Sequence, residues 1–333
     1  MRSIFILLLL CVFPGFMLSA QNKVELKFKP DGEFKIIQFT DTHVNIQKGQ
    51  NLDIFEQFQK IIELEKPDLA LVTGDVVAED EWEEAYPFFV ALFETEKLPW
   101  AVVFGNHDSK DSASREAIAS FLETLPFCLN VANDGGATGS SNFVLPVYGK
   151  SEKAEALLYC LDSNSRSTLT PRVDGYGWFD LSQIEWYNRN SKKYTLLNDG
   201  EPLPALAYFH IPLPEYDLAW NDKSASRIGK KREPICCPDI NTGMFAAMVQ
   251  CGDVMGTFVG HDHYNDFVVN YYDIALAYGR ASKIRNQKKP GLGSRVVVLK
   301  EGKREFDSWI REGTGKKLQE CTFPGSFVEN TSK

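Results

Sequence analysis

At 333 residues, 44% of them hydrophobic and 24% charged, the chain lies outside the low-hydrophobicity, high-charge range of disordered proteins. It has length for one large α/β domain or two small ones. Its formal net charge of -9, from 36 Lys+Arg against 45 Asp+Glu, argues against a nucleic-acid coat, because phosphate backbones reward the opposite sign.

Taken from the N-terminus, residues 1–20 read as a secretory signal peptide. Arg2 supplies a positive charge, residues 4–18 carry none and are nearly all apolar, and Leu18-Ser19-Ala20 closes the run. Cleavage after Ala20 predicts a secreted or periplasmic protein of residues 21–333. The apolar run is short of the roughly 20 residues a membrane span needs, and no later segment has the length or purity for one. Six cysteines follow the leader, Cys128, Cys160, Cys236, Cys237, Cys251 and Cys321. Export permits disulfides, without a choice among pairings.

Val24, Leu26 and Phe28 alternate with polar residues, Pro30-Asp31-Gly32 signals a turn, and residues 34–39 form a second apolar run. The pattern predicts a β-hairpin feeding a central strand. Leu52, Phe55, Phe58 and Ile62 fall at helical spacing before Pro67. Residues 69–72 read as a strand buried on both faces. A helix over 82–93 carries Pro87, which suits a first turn. Residues 101–104 form a strand, and Ile118, Phe121, Leu122 and Leu125 another helical stripe. Further strands are predicted over 157–161, 205–209, 257–259 and 296–299. Asp180-x-x-Gln183 resembles a capping box, and a helix over 244–249 closes near Gly252. Alternating strands and helices give one α/β domain. The polar stretches 133–142 and 221–241 read as long loops.

Five short motifs each follow a predicted strand: Asp41-Thr42-His43, Gly74-Asp75, Gly105-Asn106-His107-Asp108, His210-Ile211-Pro212 and Gly260-His261-Asp262-His263. They contain all 5 histidines of the chain. Ligands of open α/β sheets bind at the carboxyl ends of strands, so these segments can converge on one rim. Imidazole and carboxylate donors suit Mn, Fe or Zn without a thiolate. Asp41 and His43 are two apart on an extended end and can face one cation; His261 and His263 repeat that spacing. Asp75 is the natural carboxylate to bridge a pair of ions, which would clamp the attacking and leaving oxygens of an in-line displacement.

Read in order, D-x-H, G-D, G-N-H-D, H-x-P and G-H-D-H resemble the calcineurin-like metallophosphoesterases. The likeness is nearer to a single-domain, purple acid phosphatase-like branch, through residues 34–43, Gly175-Tyr176-Gly177-Trp178, residues 207–214, Asn241-Thr242-Gly243 and residues 260–267. The resemblance implies a β-sandwich flanked by helices, in four αββα layers, as a catalytic domain over 21–333. It implies two divalent ions: one held by Asp41, His43, Asp75 and His263, the other by Asp75, Asn106, His210 and His261. His107 would face the substrate as proton donor to the leaving alkoxide, with Asp108 fixing its tautomer. Asp262 is expected to turn away and hold its loop. Tyr176, Asn106, Asn241 and Arg280 are candidate substrate-binding residues; Lys230-Lys231-Arg232 reads first as a solvated loop, with contact to substrate phosphate as the alternative. Purple enzymes carry an iron-binding Tyr three residues after the bridging Asp; here that position is Ala78. The expected activity is hydrolysis of small phosphomonoesters by a metal-activated hydroxide. A phosphodiesterase or nucleotide hydrolase on the same site, and a non-enzymatic binding protein on a retained scaffold, are the alternatives.

Overall fold

Every residue of the segment Leu69–Thr73, LALVT, is buried, as a strand covered on both faces must be. In the computed structural model, which describes residues 24–46, 48–49, 53–77, 82–108, 112–132, 136–282 and 291–327, that segment lies inside one of two packed sheets. The strands in chain order are β1 (Leu26–Lys27), β2 (Glu33–Phe39), β3 (Leu69–Thr73), β4 (Trp100–Val103), β5 (Phe143–Tyr148), β6 (Ala154–Cys160), β7 (Ala205–Tyr208), β8 (Arg227–Ile228), β9 (Val254–Val259), β10 (Val268–Tyr271), β11 (Ile274–Tyr278), β12 (Gly293–Lys300), β13 (Phe306–Glu312) and β14 (Lys317–Phe323). The helices are α1 (Ile54–Glu65), α2 (Trp82–Thr95), α3 (Ser112–Leu122), α4 (Leu181–Leu197), α5 (Glu215–Asn221) and α6 (Met244–Cys251).

One sheet runs β14-β13-β12-β2-β3-β4 and the other β1-β5-β6-β7-β9-β11-β10-β8. Alternation along the strands sorts side chains between two faces. Ile36, Leu69 and Leu71 meet Leu158, Leu206 and Phe258 between the sheets. Their neighbours Ile37, Ala70 and Val72 pack outward against Phe58 of α1 and Phe89 of α2. The outer face of the second sheet buries Trp186 and Tyr187 of α4 and Met244 of α6. The result is the expected four-layer αββα sandwich, with the parallel strands β2-β3-β4 forming one end of the first sheet and β6-β7-β9-β11 the centre of the second.

Three local expectations are corrected. The turn at Pro30-Asp31-Gly32 exists, with Gly32 N–H donating to Lys29 O, yet no hairpin forms. β1 pairs in parallel with β5 of the other sheet, while β2 joins β12 and β3. Pro87 stands inside α2, not in its first turn. The 221–241 loop contributes the two-residue edge strand β8 against β10. The capping box of α4 is present in full. None of Cys128, Cys160, Cys236, Cys237, Cys251 and Cys321 is disulfide-bonded. The predicted leader over residues 1–20, and Ala78, lie outside the described residues.

Candidate metal centre

The motifs sit where the parallel strands end. Asp41 and His43 follow β2, Asp75 follows β3, Asn106 follows β4, His210 follows β7, and His261 and His263 follow β9. The first three strands belong to one sheet and the last two to the other, so the site forms only where the two sheets meet. Gln38 ties that junction, its Nε2 donating to Thr73 Oγ1 at 2.8 Å and Val259 O at 3.1 Å. Thr40 Oγ1 donates to Asp41 Oδ2 at 2.9 Å and Thr73 O at 2.9 Å, which fixes the carboxylate.

Asp41, His43, Asp75 and His261 all adopt positive φ, at 54°, 44°, 51° and 74°. A non-glycine residue there costs about 1–2 kcal/mol. Such strain persists where surrounding bonds over-determine it, and it clusters at functional sites. Here those bonds are Asp41 N–H to Gly74 O (3.1 Å) and His43 N–H to Asp75 O (2.9 Å), with His261 N–H donating to Asp41 at 3.2 Å. The motif glycines are required by crowding. A Cβ on Gly105 would stand 2.2 Å from Asp75 Oδ1, and one on Gly260 2.0 Å from Thr40 Oγ1.

Two groups of donor atoms converge and share Asp75. Asp41, His43, Asp75 and His263 form one; Asp75, His210 and His261 form the other. In the first, His43 Nε2 lies 3.1 Å from His263 Nε2 and 3.4 Å from Asp75 Oδ2, and His263 Nε2 lies 3.3 Å from Asp41 Oδ1. In the second, His210 Nδ1–H donates to Thr73 O at 2.8 Å, leaving Nε2 to face Asp75 Oδ2 and His261 Nδ1, each at 3.3 Å. Fixing one ring nitrogen as donor to present the other is the usual support of a metal-ligating histidine. The buried atoms Asn106 Oδ1 and His261 Nε2 have no hydrogen-bond partner, and a buried unpaired acceptor needs an explanation. Converging lone pairs, two buried carboxylates and an orphaned amide oxygen fit a pair of divalent cations, with Asn106 completing the second group.

The electrostatics of the cation-free cluster agree. Burial opposes ionisation of Asp41, yet His263 and His210 hold its carboxyl down at about 2. Burial likewise opposes ionisation of Asp75, which His210 and His43 hold well below the usual carboxylate range. Burial disfavours a charged His210, but the Asp75 carboxylate beside it raises its pKa to about 10. Burial and the His210 charge then push His261 down to about 3. A proton on His210 thus does part of what a cation between the two carboxylates would do.

A model of the family described as "Calcineurin-like phosphoesterase" matches residues 34–265, which span all five motifs. The chain belongs to this phosphoesterase family. It is similar to "Probable inactive purple acid phosphatase 29" of Arabidopsis thaliana, 32% identical over 92% of this chain and 89% of that protein. It is also similar to "Phosphatase DCR2" of Saccharomyces cerevisiae, 29% identical over 71% of this chain and 45% of that protein. Among solved structures, a dimetal phosphatase from Danio rerio superposes with a TM-score of 0.58 at 12% identity, covering 87% of this chain and 98% of its own. That likeness shows the shared fold.

Around these donor groups the remaining residues take distinct places. His107 is exposed, its ring 5.2 Å from that of His43 and its backbone N–H donating to Asp75 Oδ1 at 2.9 Å. Asp108 does not face His107, which corrects the expectation that it sets that imidazole's tautomer. Its buried carboxylate accepts N–H bonds from Gly105 (2.7 Å), Asp75 (2.9 Å), Val76 (2.6 Å) and Val77 (3.3 Å). Burial and the Asp75 charge push Asp108 up to about 6. Asp108 is therefore a positioning residue for the turn that carries Asp75. Arg115, which sequence reasoning missed, braces the same loop by donating from Nη2 to Gly105 O at 2.7 Å.

Tyr176 lies at the site, its ring edge-on to His261 at 4.4 Å. Arg280 does not. It is buried, with Nη2 on Asp266 at 2.8 Å and Nη1 on Glu312 at 3.2 Å, so those donors are closed to substrate. Asn241 is exposed on a groove it shares with Trp178, Ile211 and Pro212. Its side chain is taken up by Glu215 Oε1 at 2.6 Å and the Gly243 N–H at 3.0 Å, which favours a loop-holding role over substrate binding. Arg232 pairs with Asp266 at 2.9 Å. Asp262 turns inward as expected, accepting from the Tyr278 hydroxyl at 2.5 Å and the Cys236 N–H at 3.2 Å.

Proposed function

We propose that the chain is a dinuclear metal-dependent phosphomonoesterase, formed by residues 21–333 and exported on a leader cleaved after Ala20. The observation that carries the reading is the pair of donor groups sharing Asp75, with one exposed histidine at their rim. Asp41, His43, Asp75 and His263 would hold one ion; Asp75, Asn106, His210 and His261 the other. Bound there, Mn, Fe or Zn ions would supply Lewis-acid polarisation of a phosphoryl group and a nucleophile at neutral pH. The chain's own part is to hold those ions in a fixed cradle and to admit a small phosphorylated substrate over His107. His107 delivers a proton to the departing ester oxygen, and Asp108 keeps the Asp75 turn rigid beneath it.

The name of the Arabidopsis relative calls that protein inactive. This chain retains all seven proposed ligands and the rim histidine, which favours activity here over a non-enzymatic binding role. Protein purified without chelators should carry close to two equivalents of Mn, Fe or Zn and hydrolyse a phosphomonoester faster than its matched diester at several pH values. Faster diester turnover would make it a diesterase. Less than one equivalent of metal after metal-replete preparation removes the dinuclear site. Full metal loading without hydrolysis leaves a binding protein.

A further inference from the structure

Beyond the ligands, one cation stands at the rim without a carboxylate. Arg166 is exposed, and its guanidinium lies over the Tyr176 ring at 4.9 Å from the centroid. Among the described residues it makes no ion pair. Tyr176 in turn stands edge-on to His261 at 4.4 Å. The sequence His261, Tyr176, Arg166 is therefore a short stack leading outward from the second donor group.

The loop that carries Arg166 is firmly held. Arg166 and Tyr176 form an antiparallel bridge, flanked by Gly177 N–H to Ser165 O and Ser167 N–H to Gly175 O, each at 3.1 Å. Asn164 Nδ2 donates to Trp178 O at 2.9 Å. Ser165 Oγ donates to Asn106 O at 3.2 Å, tying the loop to a proposed ligand. An arginine stacked on an aromatic face keeps its planar fork of donors pre-organised, and that fork matches phosphate oxygens. Among the described residues nothing uses the fork, although the chain's net charge of -9 offers many carboxylates.

We propose that Arg166, on its Tyr176 platform, binds a second phosphate on the alcohol portion of the substrate, so that the preferred substrates are bisphosphorylated. The inference rests on the hydrolase reading above for the first phosphate. The stack sets the second phosphate outside the donor groups, where it meets Arg166 while the first lies over the paired ions. Arg166 is a specificity residue; it takes no part in the proton transfer.

The test uses metal-loaded protein and two readouts. By calorimetry, methylphosphonate is compared with alkane bisphosphonates of one to four methylenes. By turnover, propyl phosphate is compared with propane-1,3-diol bisphosphate. The best bisphosphonate should bind wild type at least tenfold tighter than methylphosphonate, and kcat/KM should favour the bisphosphate. Arg166→Gln should cut the bisphosphonate-to-monophosphonate affinity ratio to about twofold, with Arg166→Lys between the two. Thermal denaturation verifies that each variant is folded. A wild type with no preference for any bisphosphonate, or an Arg166→Gln ratio equal to wild type, overturns the proposal. Arg166-dependent bisphosphonate binding without hydrolysis of any ester would retain the anion site and remove the hydrolase reading. Ester hydrolysis without discrimination would do the reverse.

Discussion

His107 is the only exposed histidine among the five, and it joins neither donor group. Replacing it should therefore separate chemistry from metal binding. His107→Asn should keep both ions and slow hydrolysis of alkyl phosphates by about 10²–10⁴-fold, the usual contribution of a positioned acid. The loss should be smaller for nitrophenyl phosphate, whose leaving group departs without a proton. Asp75→Asn should instead empty the site, since Asp75 alone belongs to both groups. Metal analysis and turnover on the same samples distinguish the two; a His107→Asn protein without metal would make His107 a ligand. Asp108→Asn should cost about 1–3 kcal/mol in urea denaturation, because an amide nitrogen then faces backbone N–H donors. It should weaken metal binding through Asp75. The ligand types and their convergence were legible in sequence because strand ends share a rim. Asp108 was not: the motif gives its identity, while its partners Val76 and Val77 lie about thirty positions earlier in the chain. Arg280 misled for the opposite reason, since its burial against Asp266 and Glu312 depends on strands paired far apart in sequence.

The unit that builds the site is a strand followed by a glycine turn. Gly105 has Asp75 Oδ1 and the Asp75 backbone nitrogen within 2.3 Å of where a Cβ would stand. Gly105→Ala must therefore push two strand ends apart. The expected cost is about 1–3 kcal/mol of overpacking, with at least a tenfold loss of metal affinity. Urea denaturation and metal titration check it, and an alanine variant with wild-type affinity would show that the two turns do not need their close approach. The cap of α4 is the contrasting case. Asp180 accepts from Ser182 and Gln183 N–H groups, and Gln183 returns a bond to the Asp180 N–H. Asp180→Ala should cost about 1 kcal/mol without moving metal content. That box was readable because its partners are three residues apart. The pairing of β1 was not readable, because a local turn at Gly32 says nothing about which sheet each flanking strand enters. β5, β10, β11, β13 and β14 were not predicted; in β14 only Cys321 and Phe323 are buried, so its sequence carries little apolar signal, and its place is set by pairing with β13.

At the scale of the whole molecule, the site joins two sheets: Asp41, His43, Asp75 and Asn106 come from one, and His210, His261 and His263 from the other. Ions bound by both should therefore stabilise the fold as well as the chemistry, by an amount that grows with their concentration over Kd. The pH dependence follows from two histidines. In the cation-free protein, Asp75 raises His210, after the opposing effect of burial, from 6.5 to about 10. The stability this contributes is complete below pH 6.5 and is lost as pH rises through 10. Burial lowers His261 from 6.5 to about 3, so its contribution is present above pH 6.5 and is lost as pH falls toward 3. From this pair alone, the cation-free protein is most stable near pH 6.5. As ligands both imidazoles are neutral, so the loaded protein has no His210 proton to lose above that pH, and loading at pH 8 should release a proton. The Asp41 and Asp75 carboxyls, both held below their ordinary values, stay ionised throughout this range. The gap in Tm between manganese-loaded and chelator-treated protein should therefore widen from pH 6.5 to pH 8.5. Thermal denaturation at the two pH values, with calorimetry of manganese binding in buffers of different ionisation enthalpy, measures both effects. A gap that narrows, together with no proton release at pH 8, would place His210 outside the metal centre.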